Sequence, residues 1–370
     1  MQEQDIARLE SRIRTAGITP SPDDDRDIVF VPRVAPTAPR IVADFFPRIE
    51  DQGNEGDCTA QTATTIAEAI MNHGGLPIPG NGQLAQQFNY FYSRHVFDGS
   101  SGDVGASPRS MCRSAKHYGI CTDDLWPQTR PVDDEPTAAA VSDAEKRKLG
   151  QYELIVANRE DPQDLARQVD AAIAEGLIVA LAFYCRRWMF YVNGPLGSVG
   201  HMGPPMPAGN VGMHEIVGGH IVPLRGYDRS LHPDSGGAYI AQNSWGTSWG
   251  DGGLWSINRQ QLIEPGFAME VRVFRGFAGV ELAPAAPVPL TIAQINASRA
   301  KLAAMGLGAV DAVSGSFSFG PAPEVAYYAA IRALGGMDSA QMAQVAGIMP
   351  SVIDGFVGAH AATVEAWKGI

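Results

Sequence analysis

Basic side chains are in short supply: lysine and arginine number 28 against 40 aspartates and glutamates, a formal net charge of −12. No run of lysine or arginine is present that could track a phosphate backbone. Binding to nucleic acid, or adsorption to an anionic membrane, is therefore disfavoured. Cysteine is equally sparse. Four in 370 residues (Cys58, Cys112, Cys121, Cys185) do not make a disulfide scaffold, and each is a candidate core thiol or nucleophile. Uninterrupted apolar runs of about eighteen residues are missing, so no membrane-spanning helix is expected. The first residues, Met1-Gln-Glu-Gln-Asp-Ile, carry acids where a secretory leader needs basic and then apolar residues. The expectation is a cytoplasmic location, with a removed leader or another export route left open. His214-Glu215 and His220 do not form a zinc-protease pair, which needs histidines about four apart on one helix. No metal and no organic cofactor is expected.

The composition that remains is globular, with 45% hydrophobic and 18% charged residues. Ile6, Leu9 and Ile13 recur at helical spacing within 3–16, and Pro20 and Pro22 stop that helix. The segment 29–47 carries Pro32, Pro36, Pro39 and Pro47 and reads as an extended arm. Alanine-rich residues 58–71, closed by Gly74-Gly75, read as a buried helix with Asp57 as N-cap. Residues 84–97, 107–118 and 162–174 read as further helices. From Leu177 the pattern turns to strands at 177–183, 219–227 and 238–242. Helices first and strands second imply an α+β fold with two packed lobes. Residues 193–213, rich in glycine, proline and methionine, read as a long mobile loop. A proline-rich hinge at 283–289 precedes alanine-rich helices at 291–306, 323–334, 338–348 and 350–367. Three regions follow: an N-terminal helix and arm (1–38), a core domain (39–280) and a C-terminal helical bundle (290–370).

Chemistry concentrates in three strings. Asp51-Gln-Gly-Asn-Glu-Gly-Asp-Cys58 sets a thiol at the first turn of a helix, where free N–H groups favour a thiolate and face any oxyanion it creates. Gln52, six residues upstream, has a side-chain amide that can supply a second donor. Gly219-His220 begins an apolar strand that ends at Gly226-Tyr227. Gln242-Asn243-Ser-Trp245-Gly-Thr-Ser-Trp249-Gly-Asp-Gly-Gly253 ends the next strand. Adjacent antiparallel strands would bring His220 beside Asn243, which can orient an imidazole without competing as a base.

Over roughly residues 39–275 these strings resemble the papain family of cysteine peptidases. Gln52 and Cys58 keep the family's six-residue separation. His220 and Tyr227 match its histidine strand, and the Asn243-Ser-Trp245-Gly…Trp249-Gly…Gly253 signature is almost complete. The resemblance implies a helical lobe beside an antiparallel, barrel-like sheet lobe, with the C-terminal helices as an extension. It implies Cys58 as nucleophile, His220 as base and Asn243 as its orienter. Gln52 and the Cys58 N–H would form the oxyanion hole, and Trp245 would shield the His220–Asn243 bond. Gly105-Ala-Ser-Pro108 resembles the family's substrate loop. Gly105 and Ala106 would then hold the substrate backbone, and Pro108 with Gly219 would line an apolar pocket for the second residue upstream of the cut.

The chain also departs from the family. Glu55 stands where many relatives have a disulfide cysteine, which fits a reducing compartment or a bacterial-type branch. Thr59 replaces an aromatic, and Asp57 puts a carboxylate beside the thiol, opposing ionisation. The expected function is endopeptidase cleavage of a protein or peptide through a thioester. The alternatives are a catalytically weak papain-fold binding module and an acyl-transferring relative. Residues 1–38 or the 193–213 loop are expected to cover the groove, and the C-terminal helices to serve docking or self-assembly.

Overall fold

The computed structural model describes residues 2–204, 211–282 and 290–304, with short pieces at 308–310, 317–319, 341 and 345. In chain order the first elements are α1 (Glu3–Ala16), β1 (Arg40–Val42), α2 (Cys58–His73), α3 (Gln86–Tyr92), α4 (Pro108–His117) and α5 (Ala138–Ala144). Then come β2 (Tyr152–Leu154), α6 (Asp164–Ala174), β3 (Ile178–Arg186), β4 (Ile216–Asp228) and β5 (Ala238–Gln242). The series ends with β6 (Leu254–Asn258), α7 (Arg259–Leu262), β7 (Ala268–Phe274) and α8 (Ile292–Ala304). The chain divides into two compact units. One holds Met1–Pro22, Thr37–Tyr152 and Gly176–Ala283, and the other Asp23–Pro36, Glu153–Glu175 and Pro284–Ile370.

The first unit is helical in its first half and antiparallel β in its second, the α+β architecture expected. α2 is buried on every side over residues 58–71, as a central helix must be. Its small alanines and threonines let neighbours approach, and Gly75 at φ 65° ends it in the left-handed region. α4 starts on Ser107, whose hydroxyl accepts from the Ser110 N–H, with Pro108 at its first position. The sheet runs β7-β3-β4-β5-β6, with β1 antiparallel to β4. Ile178, Ala180 and Ala182 of β3 and Ile221 of β4 pack with Ile66, Ala67 and Ile70 of α2 in one core. β4 pairs Phe183 with His220 on one side and Leu224 with Ala241 on the other. This long strand therefore carries His220 at its buried centre.

The helix expected over 84–97 is α3 followed by a π-helical turn at Ser93–Asp98, ended by Gly99 at φ 66°. There the Ser93 hydroxyl bonds back to the Asn89 carbonyl (2.7 Å), competing with the regular ladder. The described part of the 193–213 loop is anchored, with short 3₁₀ turns at Val199–His201 and Val211–His214. Buried His201 joins the Gly194 carbonyl (2.8 Å) and accepts from the Ser256 N–H (3.0 Å). Residues 205–210 lie outside the described residues. All four cysteines are buried, and none is in a disulfide.

In the second unit, Ile28 bridges Thr291 and Val29 bridges Leu154, and the Arg33 N–H donates to Glu175 (2.6 Å). α8 covers the helix expected at 291–306, with Ile295 and Leu302 buried. The bundle helices expected at 323–334 and 350–367 fall outside the described residues, as does all of 338–348 except Gln341 and Val345, which are helical. Among the described residues no helix is long and apolar enough to cross a membrane.

Candidate active site

Two separate strings meet because their backbones are stitched together. The Gln52 N–H donates to the Ser244 carbonyl (2.9 Å), and the Gly246 N–H donates to the Glu50 carbonyl (3.0 Å). Asp51 and Trp245 form an isolated antiparallel bridge. The loop that delivers Cys58 is thus fixed against the turn that delivers Asn243. From the other side, the Thr62 hydroxyl of α2 donates to the Ile221 carbonyl (3.0 Å), holding α2 against the strand that bears His220.

Cys58 is the first residue of α2 and is fully buried. Its thiol is pushed up to about 12, first by burial and then by the neighbouring Asp57; N–H groups of Ile221, Thr59 and Cys58 itself pull the other way. Asp57 holds the N-cap position but not the N-cap role: no side-chain bond closes the helix end. Its carboxylate instead accepts from the amides of Gln61 (2.8 Å) and Gln128 (3.3 Å). Burial, followed by the nearby Glu55, holds that carboxyl well above the usual carboxylate range.

His220 is fully buried, and its Nε2 lies 2.8 Å from Asn243 Oδ1. Because an amide oxygen only accepts, Nε2 carries the proton and Nδ1 is left as the base. Nδ1 has no hydrogen-bond partner among the described residues. Burial lowers the imidazole to about 4, against the favourable Asn243 bond. Trp245 stacks on the imidazole at 4.6 Å between centroids, and Phe183 meets it edge-on at 5.6 Å. Both rings pack against a histidine that is fully buried beside a buried Asn243. Gln52 is buried; its oxygen accepts from the Ser244 hydroxyl (2.8 Å) and its amide nitrogen donates to the Glu55 carbonyl (2.8 Å). One hydrogen of that nitrogen remains for another acceptor.

Of the proposed substrate residues, Gly105 and Gly219 face the segment that leaves α1, Ala16 to Ile18. The Ile18 N–H donates to the Gly219 carbonyl (3.1 Å). A side-chain carbon at Gly219 would lie 2.8 Å from Ile18 Cγ1 and 2.9 Å from Met269 Cε, so only glycine fits there. Gly105, at φ 80°, faces the Ala16 and Gly17 carbonyls, each 2.7 Å from where its side chain would begin. Ala106 is buried and Pro108 opens α4. Ion pairs flank that segment. Arg12 meets Asp103, Arg14 meets Glu215 (3.0 Å), and Arg187 meets both Glu10 (2.9 Å) and Glu215 (2.8 Å). Downstream, the Ser21 N–H donates to Glu270 (3.0 Å) and the Arg109 N–H to the Ser21 hydroxyl (2.9 Å). Sequence reasoning passed over Ile18, Asp103 and Met269. Ile18 and Met269 are revealed only by their long-range place beside Gly219, and Asp103 by its partners Tyr90, Gly56 and Arg12.

Comparison with known proteins identifies the family and the fold. The sequence profile described as "Papain family cysteine protease" matches residues 42–273. An uncharacterised peptidase C1-like protein of Acanthamoeba polyphaga mimivirus is 22% identical over 263 residues, 69% of this chain and 76% of that protein. Among solved structures, xylellain, a cysteine protease from Xylella fastidiosa, superposes with a TM-score of 0.56. It shares 21% identity, covering 71% of this chain and 96% of its own. Digestive procathepsin L 3 of Tenebrio molitor larval midgut gives 0.52 at 18% identity, covering 72% and 78%.

Proposed function

Because the chain belongs to the papain family of cysteine proteases, we propose that it hydrolyses peptide bonds through Cys58, His220 and Asn243. The observation that carries this is the 2.8 Å bond from His220 Nε2 to Asn243 Oδ1, under the Trp245 ring. It leaves Nδ1 as a free base on the strand against which the head of α2, and so Cys58, is packed. In the covered state thiol and imidazole are both neutral, since burial opposes each charge. Entry of substrate and water into the groove favours proton transfer from Cys58 to His220 Nδ1. The sulfur then attacks the scissile carbonyl. The oxyanion accepts from the Cys58 N–H and from the remaining Gln52 amide hydrogen. His220 returns its proton to the leaving amine, and water, deprotonated by the same nitrogen, cleaves the thioester. Asn243 keeps the imidazole in the tautomer that both steps use.

Ile18, buried against Gly219 and Met269, supports an aliphatic or aromatic preference in the pocket that Gly219 and Pro108 border. The test of the mechanism is hydrolysis of a fluorogenic peptide, with circular dichroism to verify folding. Cys58→Ala and His220→Ala are expected to lose at least ~10³-fold in kcat, and Asn243→Ala roughly ten- to a hundredfold, because orientation is only part of the histidine's work. Substantial turnover by Cys58→Ala would overturn the assignment.

A further inference from the structure

Asp103 lies two residues before Gly105, on the groove wall opposite Gly219, and its carboxylate is set in place from below. Oδ1 accepts from the Tyr90 hydroxyl (2.6 Å) and from the Gly56 N–H (2.9 Å). The Tyr90 oxygen in turn accepts from the Gly105 N–H (3.0 Å), and the Tyr90 ring is fully buried. Gly56 is two residues from Cys58, so this carboxylate belongs to the wall of the site itself. Its other oxygen meets the Arg12 guanidinium, and Asp103 keeps only 14% side-chain exposure. Glu55 adds a second carboxylate within the field of Arg12.

Arg12 cannot stay there while a substrate is bound. It sits on α1, whose end occupies the groove and bonds the Gly219 carbonyl through Ile18. A peptide in the groove displaces that segment and withdraws the guanidinium. An anion held by two donors in a half-buried wall is then left without its cation, which is unfavourable. We infer that Asp103 is a recognition carboxylate for a basic side chain of the substrate, upstream of the cut, and that Arg12 occupies its place in the covered protein. The inference rests on the peptidase reading and adds a substrate class to it: peptides with lysine or arginine at that upstream position, beyond the apolar residue that takes the place of Ile18. Arginine is the better match because its planar fork pairs with a carboxylate through two parallel bonds.

The experiment uses the full chain and paired fluorogenic peptides that differ only by arginine or glutamine at each of the four positions upstream of the cut. The quantity read is the kcat/KM ratio within each pair, which cancels the fraction of protein whose groove is uncovered. At one position the arginine peptide is expected to be about tenfold better, and Asp103→Asn to bring that ratio close to one. A ratio near one at every position in the native chain, or an arginine preference that survives Asp103→Asn, overturns the inference and leaves Asp103 as a clamp for α1 alone. If neither peptide of any pair is cut, the peptidase reading fails separately. The ratio is then taken from anisotropy titrations of the same peptides against the Cys58→Ala protein, where equal or undetectable binding overturns it.

Discussion

Asp57 puts a buried carboxyl next to the nucleophile, and its field works against the helix end that favours the thiolate. Its identity and position are plain in the sequence, and the expectation that it would oppose ionisation of Cys58 agrees with the structure. The side chain's partners were not legible, because Gln61 lies a turn further along α2 and Gln128 lies in a distant loop. Asp57→Asn keeps the acceptor for Gln61 and removes the charge. With the anion gone the thiolate is less disfavoured, so the thiol titrates lower than about 12 and its reactive fraction at a given pH rises. Alkylation of Cys58 by iodoacetamide, followed from pH 6 to 10, is expected to speed up about three- to tenfold near pH 8, with the profile displaced toward acid. Unchanged kinetics would mean that Asp57 is already neutral across that range and exerts no field on Cys58.

Elements built from one kind of residue pattern were readable, and those that hide charges were not. α2 announces itself through alanine and its glycine stop, β3 through a continuous apolar run, and β4 and β5 through shorter strand-like stretches. β7 was missed because Glu270 and Arg272 interrupt its apolar residues, yet they lie 2.5 Å apart as a pair within the strand, with side chains 8% and 2% exposed. β6 was absorbed into the glycine- and tryptophan-rich turn that precedes it. α2 carries a hidden charge of its own in Glu68, 1% exposed, which accepts from the Leu84 N–H (2.7 Å) and lies 3.7 Å from Arg48. Burial raises this carboxyl from 4.5 to about 8. Between those values the native protein holds a proton that the unfolded chain releases, so the contribution is fully present below about pH 4.5 and lost as pH rises through about 8. Glu68→Gln retains the acceptor for Leu84 without the ionisation. In urea titrations it is expected to be more stable than the parent at pH 8, by on the order of 3 kcal/mol, and little different at pH 4.5. A variant less stable at pH 8 would show that the Arg48 pair outweighs the desolvation of the carboxylate.

At the scale of the whole molecule, we propose that the segment leaving α1 restrains the site, because it packs against Gly105 and Gly219. An amphipathic helix was legible at residues 3–16. Its destination was not, since nothing local in Ala16-Gly17-Ile18 says that Gly219 receives it. The ion pairs of Arg12, Arg14 and Arg187 with Asp103, Glu10 and Glu215 hold the helix by charges that are partly exposed. Each such pair is worth little alone and weakens with salt. The tighter constraint is steric. A side-chain carbon on Gly17 would lie 2.5 Å from the Ile13 carbonyl, 2.9 Å from the Gly219 carbonyl and 3.0 Å from its nitrogen, and all three neighbours are backbone. Gly17→Leu therefore drives the segment off Gly219 without touching Cys58, His220 or Asn243. Alkylation of Cys58 in the full chain is expected to rise at least about tenfold in this variant, and peptide hydrolysis with it. Raising sodium chloride from about 0.05 to 0.5 M is expected to give a smaller rise in the parent, and less in Gly17→Leu, where the segment is already displaced. If Gly17→Leu stays folded by circular dichroism and neither rate increases, residues 2–22 do not restrain the site, and access to Cys58 is limited by the walls of the groove.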